Sequence, residues 1–196
     1  MRRANARHTM SDADVIVVGG GPAGLSAALF CAKNDLETVA FDGDGTWLHK
    51  AHLFNYLGIR SMDGDVFLER AREQTTADHG ATLHEDTEVE AVERDGEAFV
   101  VTADGEEHTA TYVVLATGAN RDLAEELGCA LDEDGVVEAD VTMETSVAGV
   151  YATGAMVRAE EWQAVISAGD GAAAALNILS KEKGEHYHDF DTPADV

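Results

Sequence analysis

The chain has 196 residues, enough for one well-buried core, and 45% of them are hydrophobic, as in ordinary globular proteins. Its 38 acidic residues face 13 basic ones, four of them lysines (Lys33, Lys50, Lys181 and Lys183), for a formal net charge of −25. That balance excludes nucleic acid and anionic membrane as partners, because phosphate contact needs clustered Lys and Arg. No apolar run reaches the roughly 18–20 residues that a membrane span requires.

The acidity is spread along the chain rather than gathered in a tail. Such a surface suits a salt-rich cytoplasm, where screening removes most of the self-repulsion. Met1–Thr9 is basic but has no apolar segment directly behind it, so it does not read as a signal peptide. Met10 is an alternative start, and residues 1–10 are expected to be disordered. The two cysteines, Cys31 and Cys129, form neither a CxxC nor a disulfide framework. These features place the protein in the cytoplasm.

Asp14–Val18 reads as a first strand and runs into Gly19-Gly20-Gly21-Pro22-Ala23-Gly24. Ala23–Asn34 follows as a small-residue helix, and Glu37–Asp42 as a second strand. The order of strand, glycines, helix and acid answers the separate demands of holding a dinucleotide. Gly19 allows the tight turn, Gly21 lets the backbone approach a pyrophosphate, and Gly24 lets the helix lie against the sheet. Amides near Pro22 and Ala23 present the positive end of the helix dipole to the diphosphate. Asp42, 18 residues after Gly24, stands where a carboxylate accepts hydrogen bonds from a ribose. At this point the motif defines a dinucleotide site and leaves the dinucleotide open.

Cys31 shares a helix face with Ala27 and Ala28 and is assigned to the core. Gly43–Met62 has no clear periodicity and holds His49, His52 and Asn55; both histidines read more readily as surface loop residues than as catalytic groups. Gly64–His79 is an amphipathic helix with Gly80 as its stop. Thr87–Glu93, Glu97–Ala103 and Glu107–Thr111 alternate with period two around Asp95-Gly96 and Asp104-Gly105, which predicts a three-stranded meander. The continuous apolar run Tyr112–Ala116 suits a separate, buried parallel strand, as does Val150–Thr153. A last helix is expected from about Glu161 to Leu179. The polar tail, residues 181–196, carries His186 and His188, whose spacing favours a solvated tail over a metal site.

Five segments in order resemble the flavin domain of the thioredoxin reductase family of pyridine-nucleotide-disulfide oxidoreductases. They are Val18–Gly24, Asn55-Tyr56-Leu57-Gly58 (proline is usual at the Leu57 position), Leu115–Ala119, Thr145–Gly154 and Ser167–Ala172. The resemblance spans Ser11 to about Leu179. It implies an α/β, Rossmann-like FAD-binding fold with a mainly parallel sheet, an inserted three-stranded meander, and one domain over residues 11–180. It implies FAD, with Gly19, Gly21, Pro22, Ala23 and Gly24 at the pyrophosphate and Asp42 at the adenosine ribose. Val89 would meet the adenine through its backbone, and Ala116, Thr117, Gly118 and Gly154 would line the cofactor at strand ends. Asn55 would lie near the isoalloxazine, and backbone amides of Gln163, Ala164 and Val165 would face its N1/O2 edge. The family typically forms homodimers.

Three departures stand out. Only 35 residues, Ala119–Thr153, occupy the place where the family inserts a nicotinamide-binding domain, which needs on the order of 100 residues. Neither cysteine replaces the redox CxxC of that domain. The family's ribityl-binding aspartate is Ala155 here, a loss of about 1.5–3 kcal/mol in FAD affinity. The expectation is an FAD-dependent oxidoreductase that draws electrons from a partner protein, a small reductant or directly docking NAD(P)H, with no side chain that declares itself as acid, base or nucleophile and no metal. The competing readings are a non-enzymatic scaffold or redox sensor on the same fold, and NAD alone in the first site.

Overall fold

In a computed structural model, which describes residues 12–192, the first strand, β1 (Ala13–Val18), is the centre of the architecture. It pairs in parallel with β2 (Thr38–Asp42) on one side and with β8 (Glu106–Leu115) on the other. The seven-stranded sheet has the order β5-β2-β1-β8-β7-β6, with β9 (Val150–Ala152) pairing in parallel with the end of β8. Here β5 is Thr82–Glu85, β6 Val89–Asp95 and β7 Ala98–Ala103. This is the expected Rossmann-like α/β arrangement with a mostly parallel sheet. The expectations for residues 1–10 fall outside the described residues.

The meander and the parallel strand, expected as separate elements, share one strand. Between Thr111 and Tyr112 there is no turn residue, so β8 runs straight through. Its first half is antiparallel to β7, and its second half is parallel to β1. Strand β5 escapes the sequence pattern because it is four residues long, polar and at the sheet edge, so no alternation marks it.

Each face of the sheet buries its own core. Val15, Val17, Ala40 and Val114 pack against α1 (Pro22–Lys33) and α4 (Ala164–Lys183). Ile16, Val18, Phe41, Val113 and Leu115 pack under Phe99 and Val101 of the meander and Met156. Buried Cys31 belongs to the first core and Cys129 to the second, on opposite faces of the sheet. A satellite cluster of Leu25, Leu48, Leu53 and Leu68 seats α2 (Gly64–Glu73) and the hairpin of β3 (His52–Leu53) with β4 (Met62–Asp63). The short helix α3 (Asp122–Glu126) lies between β8 and β9.

Helix α2 gives way to a π turn over Gln74–Asp78, shorter as a helix than its periodicity predicts. The hydroxyls of Thr75 and Thr76 donate to the carbonyls of Ala71 and Arg72, four residues back, a bonding pattern that disturbs a regular helix. Helix α4 extends to Lys183, past the expected end, and Gly184 (φ +68) stops it. The tail then folds back on α1. Lys33 Nζ donates to Asp189 (2.7 Å) and Asp191 (2.5 Å), and Tyr187 hydrogen-bonds Asn34. Lysines are scarce in this chain, and this one is placed where it ties the tail down.

Candidate functional site

The site lies at the carboxyl end of the parallel strands, where loops from β1, β8 and β9 meet. Gly19 holds φ +114, and a Cβ there would stand 2.4 Å from the Ala116 carbonyl oxygen. The turn off β1 thus runs against the end of β8, and Ala116 N donates to Val18 O (2.8 Å). A Cβ at Gly24 would fall 1.8 Å from Gly19 O, so α1 sits hard against the same turn. Gly21 caps α1 with extended backbone and no side-chain hydrogen bond, and Pro22 occupies its first turn. The opening amides of α1 are therefore free of side-chain caps.

Helix α4 starts in the same way: Gln163 is its N-cap, its side chain making no bond to the helix's opening amides, and there is no acid in the first turn. The two helix starts converge. At Gly154 (φ +68) a Cβ would be 3.4 Å from Ala23 Cβ in the first turn of α1 and 3.3 Å from Ser167 Oγ in that of α4. Two uncapped N-termini of helices of 12 and 20 residues converge beside one glycine at the tip of β9. Their amides and dipoles together favour negative charge.

Asp42 ends β2 with its side chain only 3% exposed. Its Oδ1 accepts from Asp44 N (2.9 Å) and its Oδ2 from Arg72 Nη2 (2.7 Å). Arg72 also reaches Asp44 (2.8 Å) and Glu85 (3.2 Å). Thr87 N donates to Asp42 O (2.9 Å), which carries the chain toward Val89, half-buried on β6 beside a bulge. Asn55 Nδ2 donates to Gln163 Oε1 (2.8 Å), bridging the loop after β3 to the start of α4, with Ala164 and Val165 just beyond. Thr117 Oγ1 donates to Asn120 O (2.6 Å), and Gly118 turns with φ +67.

The residues singled out in the sequence thus fall into three groups. Gly19, Gly21, Pro22, Ala23, Gly24, Ala116, Gly154, Gln163, Ala164, Val165 and Asn55 gather around the two helix starts, with Thr117 and Gly118 in the loop that leaves Ala116. Asp42 stands at the neighbouring strand end, and Val89 follows from it through Thr87. Several residues carry no signal in the sequence, because their partners are remote along the chain. Arg72 is one. Arg121 is another, donating to the carbonyls of Ala119 (3.3 Å), Ala155 (3.2 Å) and Met156 (3.2 Å) and so stapling two strand-end loops together. Arg158 grips Asp170 with two bonds, 2.6 and 3.0 Å, fixing the turn after β9 onto α4.

His49 bonds carboxylates with both ring nitrogens, Asp65 at 2.5 Å and Asp44 at 2.9 Å, and so must be doubly protonated to satisfy both. The Asp65 bond above all, then Asp44, raises its pKa from the ordinary 6.5 against the opposing desolvation. A raised folded-state value means this link is complete below about pH 6.5 and is lost as pH rises through the folded value. A proton NMR titration should show His49 titrating above 6.5, with the signal removed by His49→Gln; a midpoint at or below 6.5 would contradict the double contact. Cys129 is buried, donates to Thr145 Oγ1 (3.5 Å), and has its pKa raised by burial, the opposite of an activated thiol.

Glycine turn, paired helix starts and strand-end acid define a dinucleotide-binding protein of the Rossmann-like type. Comparison with known sequences sets the family. Residues 58–171 match the profile of "Pyridine nucleotide-disulphide oxidoreductase", and residues 14–52 match that of "FAD binding domain". The chain belongs to the pyridine nucleotide-disulphide oxidoreductase family, in its thioredoxin-reductase-like, FAD-binding branch. It is 34% identical over 110 residues to thioredoxin reductase from Mycolicibacterium smegmatis, covering 54% of this chain and 35% of that one. With thioredoxin reductase from Peptoclostridium acidaminophilum it shares 36% over 120 residues, 59% and 36% of the two chains. It spans about a third of the length of these curated relatives. A thioredoxin reductase structure from Gloeobacter violaceus superposes with TM-score 0.82 at 22% identity, covering 93% of this chain and 100% of that one.

The residues present fit FAD. Two uncapped helix starts suit its diphosphate and the charge of its reduced ring, and the glycine turn, too tight for side chains, brings backbone close to both. When bound, FAD supplies two-electron oxidation and reduction at its isoalloxazine. No helix among the described residues is long and apolar enough to cross a membrane.

Proposed function

We propose that this chain is a cytoplasmic, FAD-dependent oxidoreductase, its cofactor held within one unit of residues 11–180, which takes its electrons from another molecule. The convergence of two uncapped helix starts at Gly154 carries this reading. In it, Gly19, Gly21, Pro22, Ala23 and Gly24 hold the diphosphate, Asp42 the adenosine ribose, and Val89 the adenine. Ala116, Thr117, Gly118 and Gly154 line the cofactor, and Asn55, Gln163, Ala164 and Val165 face the flavin ring. An external electron source is supported by residues 119–153, which hold a five-residue helix, isolated bridges and the three residues of β9. It is further supported by two buried cysteines on opposite faces of the sheet, which make no redox pair. A carrier protein, a small reductant and reduced nicotinamide docking directly on the flavin are the sources this reading allows, and a homodimer is the assembly the family suggests.

Purified protein should be yellow, with flavin absorbance near ~370 and ~450 nm and FAD, not FMN, released on denaturation. Asp42→Ala should weaken FAD by about 1.5–3 kcal/mol, the worth of hydrogen bonds to a charged acceptor, with β2 intact. Colourless protein that also takes up no added FAD at high salt would remove the reading. Unchanged affinity in Asp42→Ala would detach the acid from the ribose.

Ala155→Asp tests the departure from the family's pattern. Arg121 already donates to the Ala155 carbonyl, so a carboxylate here would arise beside a cation as well as toward the ribityl hydroxyls. FAD binding should tighten by up to about 2 kcal/mol, less the desolvation of the new carboxylate. Titration of apo-protein measures it, and weaker binding by a folded variant would withdraw the assignment of this loop to the ribityl chain.

A further inference from the structure

The acid assigned to the ribose is not alone at the end of β2. Arg72, in the last turn of α2, reaches Asp42 across 30 residues of sequence and pairs with it at 2.7 Å. An arginine beside a ribose acid has two meanings. It takes the 2′-phosphate of a phosphorylated dinucleotide, or it holds the acid for a plain ribose.

The donors of Arg72 decide between the two. Nη2 gives hydrogen bonds to Asp42 Oδ2 and, at 2.8 Å, to Asp44 Oδ1, and Nη1 is turned to Glu85 Oε2 at 3.2 Å. Nε is buried and has no partner among the described residues, so it does not face an incoming phosphate. A 2′-phosphate would have to break one of these pairs and then meet Asp42, Asp44 and Glu85, with Glu88 packed against Gly43 beside them. Only Arg72 and His49 oppose these carboxylates, and His49 is shared between Asp44 and Asp65. The balance is negative and repels phosphate.

The same contacts leave Asp42 ready for hydroxyls. A carboxylate offers about four lone-pair sites. Here Oδ1 accepts from Asp44 N (2.9 Å) and Oδ2 from Arg72, so each oxygen keeps one site open, one for each hydroxyl of a ribose diol. The direction of the carboxylate is fixed as well. Oδ2, the oxygen Arg72 holds, lies 2.0 Å from where a Cβ on Gly20 would stand, hard against the glycine turn. Without Arg72 that oxygen loses its tether, and Asp42 is left with Asp44 and Glu85 as unbalanced neighbours. The carboxylate then turns out to water, and the diol loses an acceptor.

We propose that Arg72 is the positioning residue of the adenosine subsite: it fixes the Asp42 carboxylate for an unphosphorylated ribose and, spent on three carboxylates, bars the 2′-phosphorylated form. The inference rests on the reading above that places Asp42 at the ribose.

The test uses the full chain stripped of flavin and three probes that differ only at the 2′ position of the adenosine ribose: ADP-ribose, 2′-deoxy-ADP-ribose and 2′-phospho-ADP-ribose, titrated by calorimetry. Wild-type protein should bind ADP-ribose at least about tenfold more tightly than either analogue, the worth of a hydrogen bond to a charged acceptor. Arg72→Gln should bring ADP-ribose and its 2′-deoxy analogue to within about twofold of each other. Added to Asp42→Ala, it should change ADP-ribose affinity by less than about twofold, because its effect passes through that carboxylate. A mere strut between α2, β2 and β5 would weaken both ligands alike and add to Asp42→Ala, and that result overturns the proposal. So does an Arg72→Gln protein that keeps the preference, or wild-type protein that binds the 2′-phospho probe as well as ADP-ribose. If Arg72→Gln does not fold, Arg72→Lys, which keeps the charge without the fork, should still lose at least about threefold of the preference. An undiminished preference in that variant overturns the proposal too. FAD uptake by the same samples judges the cofactor separately. Protein that takes up no FAD but shows this pattern with ADP-ribose retires the flavin and leaves the role of Arg72 standing. FAD uptake with an Arg72 variant of unchanged preference does the reverse, and wild-type protein that binds none of the probes overturns both.

Discussion

Gly171→Ala is expected to destabilise the fold by about 3 kcal/mol, near the top of the range for overpacking, and to abolish tight FAD binding in whatever remains folded. Helices α1 and α4 cross where Gly171 faces Ala23 and Ala27. A Cβ at position 171 would stand 2.0 Å from the Ala23 carbonyl oxygen and 3.1 Å from Ala27 N. Both obstacles are backbone, so no side-chain rotation relieves them, and the helices must separate. Separation acts on the site directly, because Gly154 is wedged between Ala23 and Ser167 in the first turns of the same two helices. A methyl group at the crossing therefore moves both sets of amides away from a shared ligand. Urea unfolding and FAD titration together check this; a variant within 1 kcal/mol of wild type that binds FAD normally would show that the helices slide apart without cost.

Much of this site was legible in the sequence because its parts are local. The glycine turn, the helix behind it and the acid at the end of β2 obey short-range rules of backbone geometry, and each fell within a residue or two of its expected place. What was not legible depends on distance along the chain. Strand β5 is defined by its pairing with β2 rather than by any pattern of its own. Strand β8 reads as two elements because its halves meet different neighbours, an antiparallel one and a parallel one. The Arg72 guanidinium finds Asp42 and Asp44 30 and 28 residues back and Glu85 on another element, and that of Arg121 finds backbone carbonyls, which no spacing rule announces. The tail looked solvated because it is polar; Lys33 and Asn34, 156 and 153 residues before their partners Asp189 and Tyr187, are what hold it.

Between about 0.05 and 2 M KCl the melting temperature should rise on the order of 10 °C, roughly 3 kcal/mol for a domain of this size. Two effects oppose each other. Salt weakens exposed ion pairs such as Lys33–Asp191 and Arg72–Glu85, which contribute about 0–1 kcal/mol each. Salt also screens repulsion among 38 acidic groups that 13 basic ones cannot neutralise. The cavity of about 550 Å³ between α2 and β5 shows the imbalance at close range: Asp65, Glu69, Glu73 and Glu85 line it with only His49 and Arg72 to offset them. Few pairs are lost and many repulsions are relieved, so stabilisation wins. Substituting Glu69→Gln and Glu73→Gln should raise stability at low salt and flatten the salt response, because those charges no longer need screening. A melting temperature that stays constant or falls with KCl would mean the acidic surface is neutral to stability, and the link drawn from composition to a salt-rich cytoplasm would go with it.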